Sequence, residues 1–413
     1  MKPRLAFFIT RPPLPVLDGT RQLLHDELSA LSRDFIIDIW LATDEKVTPA
    51  VRKKLTELSG GRLFYYYRPK LYRYFKIIGH FFSSQPWQIF YFYSSRFAQR
   101  LTANADQYDA FYFHTLRTGR YLAALEKTHP EKIANCLLDF NDALSLNYRA
   151  ARVVARGLWK IIYTREEKRL KNYELDLISR LDQLMILTAN DKRYLENNWR
   201  EKYQAPLAKT IIVRRYGVAD SLLRYQYEPQ TNNLVFIGNL HYPPNQQGLK
   251  TFCRHVWPLL LKNRPDIKLL IIGRGGQKFR RFPNVESLGF MADPYKIMTR
   301  QALGLNPVEF GGGVSTKSLV SFALGLPLIA TKDGLTGLEN AALEKLTVII
   351  DYREPQKAAE LIAAALENVN LREAMSRRGQ EFIRTYYRQS ANQENFLAVV
   401  KTLVDRGVEQ PNK

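Results

Sequence analysis

Short apolar runs alternate with amphipathic segments along the second half of the chain. The runs at 234–237 and 268–272 are each followed by glycine, as expected of buried strands that enter a loop before a helix. Residues 285–289, 302–307 and 327–330 have the same apolar character. Strands that alternate with helices at this spacing predict a parallel sheet covered by helices on both faces.

The first half shows the same alternation. Residues 5–10, 35–41 and 110–113 are predicted strands, and a helix is predicted over 20–32. A chain of 413 residues is too long for one core and suits two domains. The predicted organisation is a first domain over 1–216, a hinge over 217–232, a second domain over 233–385 and a C-terminal helix over 386–413.

The stretch PVEFGGGVSTK at 307–317 is the strongest candidate for a ligand site. Its three glycines let the backbone approach a ligand closely, and either Ser315 or Thr316 can cap the helix that follows. Lys317 lies in the first turn of that helix. A glycine loop, a helix N-terminus and a lysine together suit a diphosphate. The alternative is an ordinary glycine-rich turn followed by a solvated lysine.

These motifs together resemble the donor-binding domain of GT-B glycosyltransferases, and most of all glycosyltransferase family 4, in the branch that makes bacterial exopolysaccharides and surface glycans. The resemblance rests on FIGNLHYPPN (236–245), IIGRGG (271–276), VESLGF (285–290), GGGVSTK (311–317) and ALGLPLIAT (323–331). It implies an α/β fold with two Rossmann-like, doubly wound parallel-sheet domains facing a cleft. It also implies that the C-terminal helix returns to the N-terminal domain.

The resemblance implies a transferase that moves a sugar from a nucleotide-diphosphate sugar to a surface polysaccharide or a lipid-linked glycan precursor, with retention of configuration. The catalytic candidates are Lys317, Glu309 and His114. The donor-binding candidates are Gly238, Asn239, Gly311, Gly312, Gly313, Ser315, Thr316 and Lys317. The acceptor-side candidates are Asp18, Gly19, Asp139 and Asp142. His114 can equally be a structural histidine, and Asp142 can equally be a helix N-cap.

The chain departs from the family pattern at Val320, which occupies the place where a glutamate normally binds the nucleotide ribose. The departure supports a second hypothesis, a non-catalytic GT-B protein that binds a glycan or a partner within a polysaccharide-biosynthesis complex. A nucleotide-sugar epimerase is a third. No cofactor or metal is predicted, because the sequence has no Asp-x-Asp triplet and its six histidines lack ligand spacing.

The net charge of +21 is concentrated in the first 230 residues, which hold 37 basic and 24 acidic side chains. Residues 61–100 contain seven Lys or Arg, no acidic residue and many aromatic rings. This composition predicts contact with an anionic membrane surface; apolar core with solvated charge and single-stranded nucleic acid are the alternatives, and nucleic acid is the least favoured. With two distant cysteines and no secretory signal, the predicted location is the cytoplasm, at the inner face of the membrane.

Overall fold

The computed structural model describes residues 2–16, 19–310, 313–338 and 343–408. The chain forms two compact units, Met1–Arg214 with Gln393–Lys413, and Arg215–Asn392. Residues 217–232, predicted as a hinge, belong to the second unit, because Val218 and Leu222 are buried in its apolar core.

The first unit is built on a seven-stranded parallel sheet with the order β3-β2-β1-β4-β5-β6-β7. Along β1, Ala6 and Phe8 join one apolar cluster while Leu5, Phe7 and Ile9 join another, so both faces of the sheet are covered. The strands are β1 Arg4–Ile9, β2 Ile36–Thr43, β3 Gly60–Tyr67, β4 Ala110–His114, β5 Cys136–Asp139, β6 Gln183–Ile186 and β7 Ile211–Val213. The helices are α1 Gly19–Leu31, α2 Pro49–Ser59, α3 Lys70–Gly79, α4 Trp87–Phe92, α5 Ser95–Thr102, α6 Gly119–Thr128, α7 Leu144–Val154, α8 Gly157–Arg180 and α9 Ala189–Tyr203.

The second unit is built on a six-stranded parallel sheet with the order β10-β9-β8-β11-β12-β13. Its strands are β8 Leu234–Ile237, β9 Leu269–Ile272, β10 Val285–Gly289, β11 Leu303–Asn306, β12 Leu328–Thr331 and β13 Thr347–Ile350. Its helices are α10 Pro243–His255, α11 Trp257–Asn263, α12 Tyr295–Met298, α13 Thr316–Ala323, α14 Leu343–Leu346, α15 Pro355–Glu367 and α16 Val369–Phe382. Both sheets follow the doubly wound order, in which the chain runs outward from a central strand in each direction.

The last helix, α17 Gln389–Val408, starts in the second unit and ends in the first. Its buried side chains Phe396, Val400 and Leu403 lie in the same apolar cluster as Leu5 and Leu24. The predicted return of the C-terminal helix to the first domain is therefore confirmed. Among the described residues, no helix combines the length and the apolar character that crossing a bilayer requires.

A buried ionic network lies inside the first unit. Arg214 contacts Glu27 (Nη1 to Oε1, 2.5 Å) and Asp139 (Nη2 to Oδ2, 2.6 Å). The hydroxyl of Tyr112 donates to Asp139 Oδ2 at 2.8 Å and lies 3.2 Å from Glu27 Oε2. These residues come from α1, β4, β5 and the end of β7, so the network joins four elements. Removing one partner would leave an uncompensated buried charge.

A second buried carboxyl, Glu174 of α8, accepts hydrogen bonds at the start of α7. The backbone N–H of Ser145 donates to Oε1 (2.9 Å), and the Ser145 hydroxyl donates to Oε2 (2.5 Å). Burial raises the pKa of Glu174 to about 8, against its ordinary value of 4.5. The side chain is therefore protonated in the folded protein over a pH range in which the unfolded chain is ionised.

Glu174→Gln should flatten the pH dependence of stability. The folded pKa is raised, so the stability that protonated Glu174 supports is complete below pH 4.5 and is lost as pH rises toward about 8. Within that window the free energy of unfolding of the wild type should fall more steeply than that of the variant, by up to ~1.4 kcal/mol per pH unit. Urea unfolding at several pH values measures the difference. The exposed Glu57→Gln is the control, and parallel curves for Glu174→Gln and the wild type would contradict the assignment.

Candidate functional site

The candidate site of the second unit lies where its strand order reverses. Strands β8 and β11 are neighbours, with Leu234 opposite Leu303. Helix α10, which follows β8, packs Leu249 into one apolar cluster, and α13, which follows β11, packs Leu319 into the other. Because the two connections leave toward opposite faces, the carboxyl ends of β8 and β11 border a crevice, which is where doubly wound sheets bind ligands.

The glycine loop joins β11 to α13. Gly311 and Gly312 lie outside the described residues. Gly313 has a φ of +75°, and a Cβ atom there would meet nothing within 4 Å. Gly337, with a φ of +76°, approaches the loop so closely that its Cβ would lie 2.7 Å from the carbonyl oxygen of Gly313 and 2.9 Å from Cα of Val314. The loop therefore requires glycine at 337 both for its backbone conformation and for space.

Asn306, the last residue of β11, holds the start of α13. Its side chain is buried, and Nδ2 lies 2.8 Å from Ser315 Oγ, 2.9 Å from Ser318 Oγ and 2.8 Å from the carbonyl oxygen of Gly334. Ser315 occupies the N-cap position of α13, one of the two positions predicted, but it makes no side-chain capping bond, and its hydroxyl accepts from Asn306. Asn306 itself was not predicted, although a polar residue that ends an apolar strand was a signal for it.

Lys317 joins the two loops of the crevice. Its Nζ donates to Asn245 Oδ1 at 2.8 Å, and Asn245 Nδ2 donates to the carbonyl oxygen of Asn239 at 2.9 Å. Asn245 is buried on α10, whereas Lys317 is half-buried on α13. Within the described part of the chain no carboxylate lies within ion-pair distance of Nζ. Burial lowers the pKa of Lys317 to about 8.

A partly desolvated lysine whose hydrogen-bond partner is neutral is a site for an anion. A negatively charged group beside Nζ would stabilise the charged lysine, and the N-terminus of α13 would add the partial positive charge of its unpaired N–H groups. The predicted donor residues Gly313, Ser315, Thr316 and Lys317 thus lie together at one edge of the sheet. An ammonium group beside a helix N-terminus is the kind of arrangement that binds phosphate groups in proteins.

The glycines that follow β8 and β9 lie in close backbone contact. A Cβ on Gly273 would lie 2.0 Å from the carbonyl oxygen of Gly238, and a Cβ on Gly238 would lie 3.0 Å from Asn245 Nδ2. Gly238 and Asn239 therefore border Asn245, the partner of Lys317. At the end of β11, Glu309 accepts a hydrogen bond from Thr251 Oγ1 (2.7 Å).

Val320 is half-buried against the apolar cluster of the second unit and offers no polar group to a ligand. No group of three or more His, Cys, Asp or Glu side chains is arranged as a metal site in the part of the chain that the structure describes.

The first unit has a second reversal of strand order, between β1 and β4, and His114 ends β4 there. Burial lowers the pKa of His114 to about 4, so the imidazole is neutral at pH 7. At these strand ends, three buried polar atoms have no hydrogen-bond partner in the described structure: His114 Nε2, Thr115 Oγ1 and Asn141 Oδ1. Thr115 and Asn141 also have φ values of 66° and 65°, which non-glycine residues rarely adopt.

These three residues belong to adjacent strand ends, because His114 pairs with Asp139 and the N–H of Thr115 donates to the carbonyl oxygen of Asp139 (2.7 Å). Strained backbone and unpaired polar atoms at a strand end mark a candidate binding site. Their neutral donors and acceptors suit a polyhydroxylated ligand. Sequence reasoning found His114 but not Thr115 or Asn141, because neither a positive φ nor an unpaired oxygen is visible in a sequence.

The acceptor-side candidates are placed differently from one another. Asp18 lies outside the described residues, and Gly19 is the first residue of α1. Asp139 is fully buried. Burial alone would raise the pKa of Asp139, but the ion pair with Arg214 and the hydrogen bonds that Asp139 accepts hold that pKa below the ordinary value. These contacts favour a structural role for Asp139. Asp142 is not the N-cap of α7, since Ala143 occupies that position, and its carboxylate instead accepts from the side chain of Asn147.

The fold defines the class of this protein as GT-B. The crystal structure of HepE from Anabaena in complex with UDP and glucose is similar with a TM-score of 0.60 at 13% identity, covering 97% of this chain and 99% of that one. WaaG, described as a glycosyltransferase involved in lipopolysaccharide biosynthesis, is similar with a TM-score of 0.62 at 13% identity, covering 96% and 99%. The fold class predicted from the sequence is confirmed.

Residues 231–368, which lie within the second unit, match the model of the family described as glycosyl transferases group 1. A sequence relative, an uncharacterized 44.6 kDa protein in the cps region of Klebsiella pneumoniae, is 23% identical over 254 residues, which is 58% of this chain. The match spans 62% of that relative, less than two thirds of its length. The family resemblance seen in the motifs is thereby confirmed for the second unit.

Gly337→Ala should destabilise the second unit, because the new Cβ would contact the Gly313–Val314 backbone and the residue would keep a left-handed conformation. We expect a loss of about 2–4 kcal/mol in the free energy of unfolding. Gly60→Ala is the matched control, since Gly60 has a φ of +66° but open space around its Cβ position, and it should cost only about 1–2 kcal/mol. An equal decrease in the free energy of unfolding of the two variants would show that contact with the Gly313–Val314 backbone does not add to the cost of Gly337→Ala.

Proposed function

We propose that this protein transfers a sugar from a nucleotide-diphosphate sugar to a surface polysaccharide or a lipid-linked glycan precursor. The observation that carries the proposal is Lys317, a partly desolvated cation at the start of α13 and beside the glycine loop, which has no carboxylate partner among the residues that the structure describes. The UDP named for the HepE complex, the lipopolysaccharide pathway named for WaaG and the cps region named for the Klebsiella relative all support this class of substrate.

In the proposed reaction the bond between the anomeric carbon and the diphosphate oxygen breaks, and the diphosphate leaves with the electron pair. An acceptor hydroxyl forms the new bond to the anomeric carbon, and its proton passes to an oxygen of the leaving diphosphate. The ammonium of Lys317 and the N–H groups at the start of α13 stabilise the negative charge that develops on the leaving group. This electrostatic role needs no metal ion, so we propose metal-independent transfer. Retention of anomeric configuration is part of the same proposal and follows from the family resemblance.

His114, Thr115 and Asn141 are proposed to bind sugar hydroxyls. A neutral imidazole can donate or accept, and Asn141 Oδ1 is an acceptor, so the cluster offers both kinds of partner. A bound sugar would satisfy polar atoms that are otherwise buried and unpaired, which costs about 1–3 kcal/mol for each atom. We propose that the protein acts in the cytoplasm at the inner face of the membrane, where a lipid-linked acceptor would be available.

A second candidate function, a non-catalytic GT-B protein that binds a glycan or a partner protein, is favoured by one observation. Val320 packs against apolar side chains and offers no group to a ribose. The two functions differ in a single readout, because only the transferase releases a nucleoside diphosphate from a nucleotide sugar. A screen of UDP-, GDP- and ADP-sugars for release of the diphosphate separates them.

Lys317→Met should weaken the binding of a nucleoside diphosphate, in the presence of EDTA, by about 30- to 100-fold, since a charge-assisted contact is lost. Because the pKa of Lys317 is about 8, the direction in which the affinity changes with pH can also be predicted. A bound diphosphate raises the pKa of Lys317, so binding at pH 8 takes up a fraction of a proton, and the affinity of the wild type falls as pH rises from 7 to 9. Calorimetric titration of UDP, GDP and ADP in two buffers of different ionisation enthalpy measures both effects.

The matched control for this experiment is Lys296→Met, which removes an exposed lysine of the same unit and should change neither the affinity nor the proton uptake. An unchanged titration for Lys317→Met, with whichever diphosphate binds the wild type, would refute the anion site. Binding that persists in the variant without proton uptake would show that Lys317 approaches the ligand but contributes little to its affinity.

His114→Ala should slow sugar transfer, or hydrolysis of the nucleotide sugar, while leaving the Kd for the free nucleoside diphosphate within about twofold of the wild type. The reason is that the proposed partner of His114 is a sugar hydroxyl and not the diphosphate. Steady-state kinetics with titration of the diphosphate separates the two effects. An equal loss of diphosphate binding and turnover would instead indicate that the first unit is disrupted.

A further inference from the structure

Helix α3 of the first unit buries a basic side chain and exposes apolar ones. Arg73 is 1% exposed, and its guanidinium donates to the carbonyl oxygens of Thr43 (2.5 Å), Tyr91 (2.7 Å) and Arg68 (3.0 Å). One turn later, Nζ of Lys76 donates to the carbonyl oxygen of Tyr93 at 2.8 Å. Arg73 and Lys76 therefore face the protein and satisfy backbone carbonyls, whereas Lys70 at the start of the helix is exposed.

The apolar side chains of α3 face outward. Leu71 is 70% exposed, Phe75 65% and Ile78 66%, and Phe82 just beyond the helix is 89% exposed. Surface helices of globular proteins show the opposite arrangement, with apolar residues toward the core. Turning α3 to bury these side chains would break the four hydrogen bonds of Arg73 and Lys76, so those bonds fix the apolar face outward.

A second exposed apolar group lies on a neighbouring part of the same unit. Leu158, Trp159 and Ile161 at the start of α8 are each more than 60% exposed. The two groups are connected by contacts further along α8: the guanidinium of Arg165 lies 4.9 Å from the ring of Phe81, and Arg169 Nη2 donates to the Phe81 carbonyl oxygen at 2.9 Å.

The charge around both groups has one sign. The sequence has no Asp or Glu from residue 58 to 105 or from 143 to 165. Exposed cations border the apolar side chains, with Arg68 and Lys70 at the start of α3 and Arg156 and Lys160 at the start of α8. Apolar and aromatic side chains bordered by Lys and Arg match the interface of an anionic bilayer, where rings and alkyl groups enter the headgroup region and cations meet phosphate.

We propose that the outward face of α3, Phe81-Phe82 and the start of α8 together form a surface that inserts into the headgroup layer of an anionic membrane. A second copy of this chain fits the surface poorly, because a symmetric contact would bring cationic borders face to face. The inference stands apart from the proposed reaction, since it involves no residue of the donor site. It also corrects the sequence prediction for 61–100, because Arg73 and Lys76 hold the helix and do not face a membrane.

The test is sedimentation of the full chain with vesicles of phosphatidylcholine alone or with about 30% phosphatidylglycerol. The wild type should bind the anionic vesicles and bind the neutral ones much less. Phe75→Ser/Ile78→Ser should weaken binding to anionic vesicles by about tenfold or more, because two apolar side chains no longer enter the interface. The matched control is Leu361→Ser/Val369→Ser, which removes two exposed apolar side chains of the second unit and should bind like the wild type.

Trp159 reports insertion directly. Its emission should shift to shorter wavelength when anionic vesicles are added, and Trp159→Phe should lose that shift while the other four tryptophans remain. Sedimentation velocity without lipid shows whether the same face joins two copies. Equal vesicle binding by Phe75→Ser/Ile78→Ser and the wild type would overturn the proposal, and so would a wild-type dimer that this double variant converts to monomer without loss of lipid binding. Since titration with UDP does not depend on this face, failure here leaves the proposed donor site intact and removes only the support for a membrane location.

Discussion

The side-by-side placement of β8 and β11 is the constraint on which the candidate donor site depends. Helices α10 and α13 pack on opposite faces of the sheet, so the loops that precede them diverge and leave their backbone groups accessible. The segments around the crevice pack closely because glycine stands at Gly248 on α10 and at Gly273, which follows β9. A side chain on Gly248 would lie 2.0 Å from the carbonyl oxygen of Pro307, and one on Gly273 would lie 2.0 Å from that of Gly238.

Within this frame the hydrogen bond from Lys317 to Asn245 determines the electrostatics. A carboxylate in the position of Asn245 would neutralise the lysine and leave no attraction for an anion. The amide holds Nζ in place but returns little of the hydration that burial removes, and the pKa therefore falls. A bound anion would recover that energy. The site is thus electrostatically incomplete without its ligand, which is how a binding site differs from a structural ion pair such as Arg214 with Glu27 and Asp139.

Local sequence signals predicted the parts of the fold that depend on neighbours in the chain. The strand at 285–289 and the one at 234–237 coincide with β10 and β8, and Lys317 lies in the first turn of its helix as predicted. Strands β5 and β13 were not predicted, because each has only four residues and neither is followed by the glycine that marked β8 and β9.

Features that depend on distant contacts were missed or assigned wrongly. Ser315 or Thr316 was expected to cap α13; Ser315 does stand at the N-cap, but its hydroxyl accepts a hydrogen bond from Asn306, nine residues earlier, and makes no capping bond. The basic side chains of 61–100 were expected on the surface, and composition alone could not show that Arg73 reaches the carbonyl oxygens of Thr43 and Tyr91. The polar cluster of His114, Thr115 and Asn141 likewise depends on two strands that are adjacent only in the folded sheet.

The central claim is that the crevice between β8 and β11 binds a diphosphate through Lys317. The most direct measurement is a crystal structure of the protein with a bound nucleoside diphosphate. The account predicts phosphate oxygens within hydrogen-bond distance of Lys317 Nζ and of the N–H groups at the start of α13, with Nζ turned from Asn245 toward the ligand. A nucleotide bound elsewhere, or one bound here with the diphosphate remote from Lys317, would contradict it.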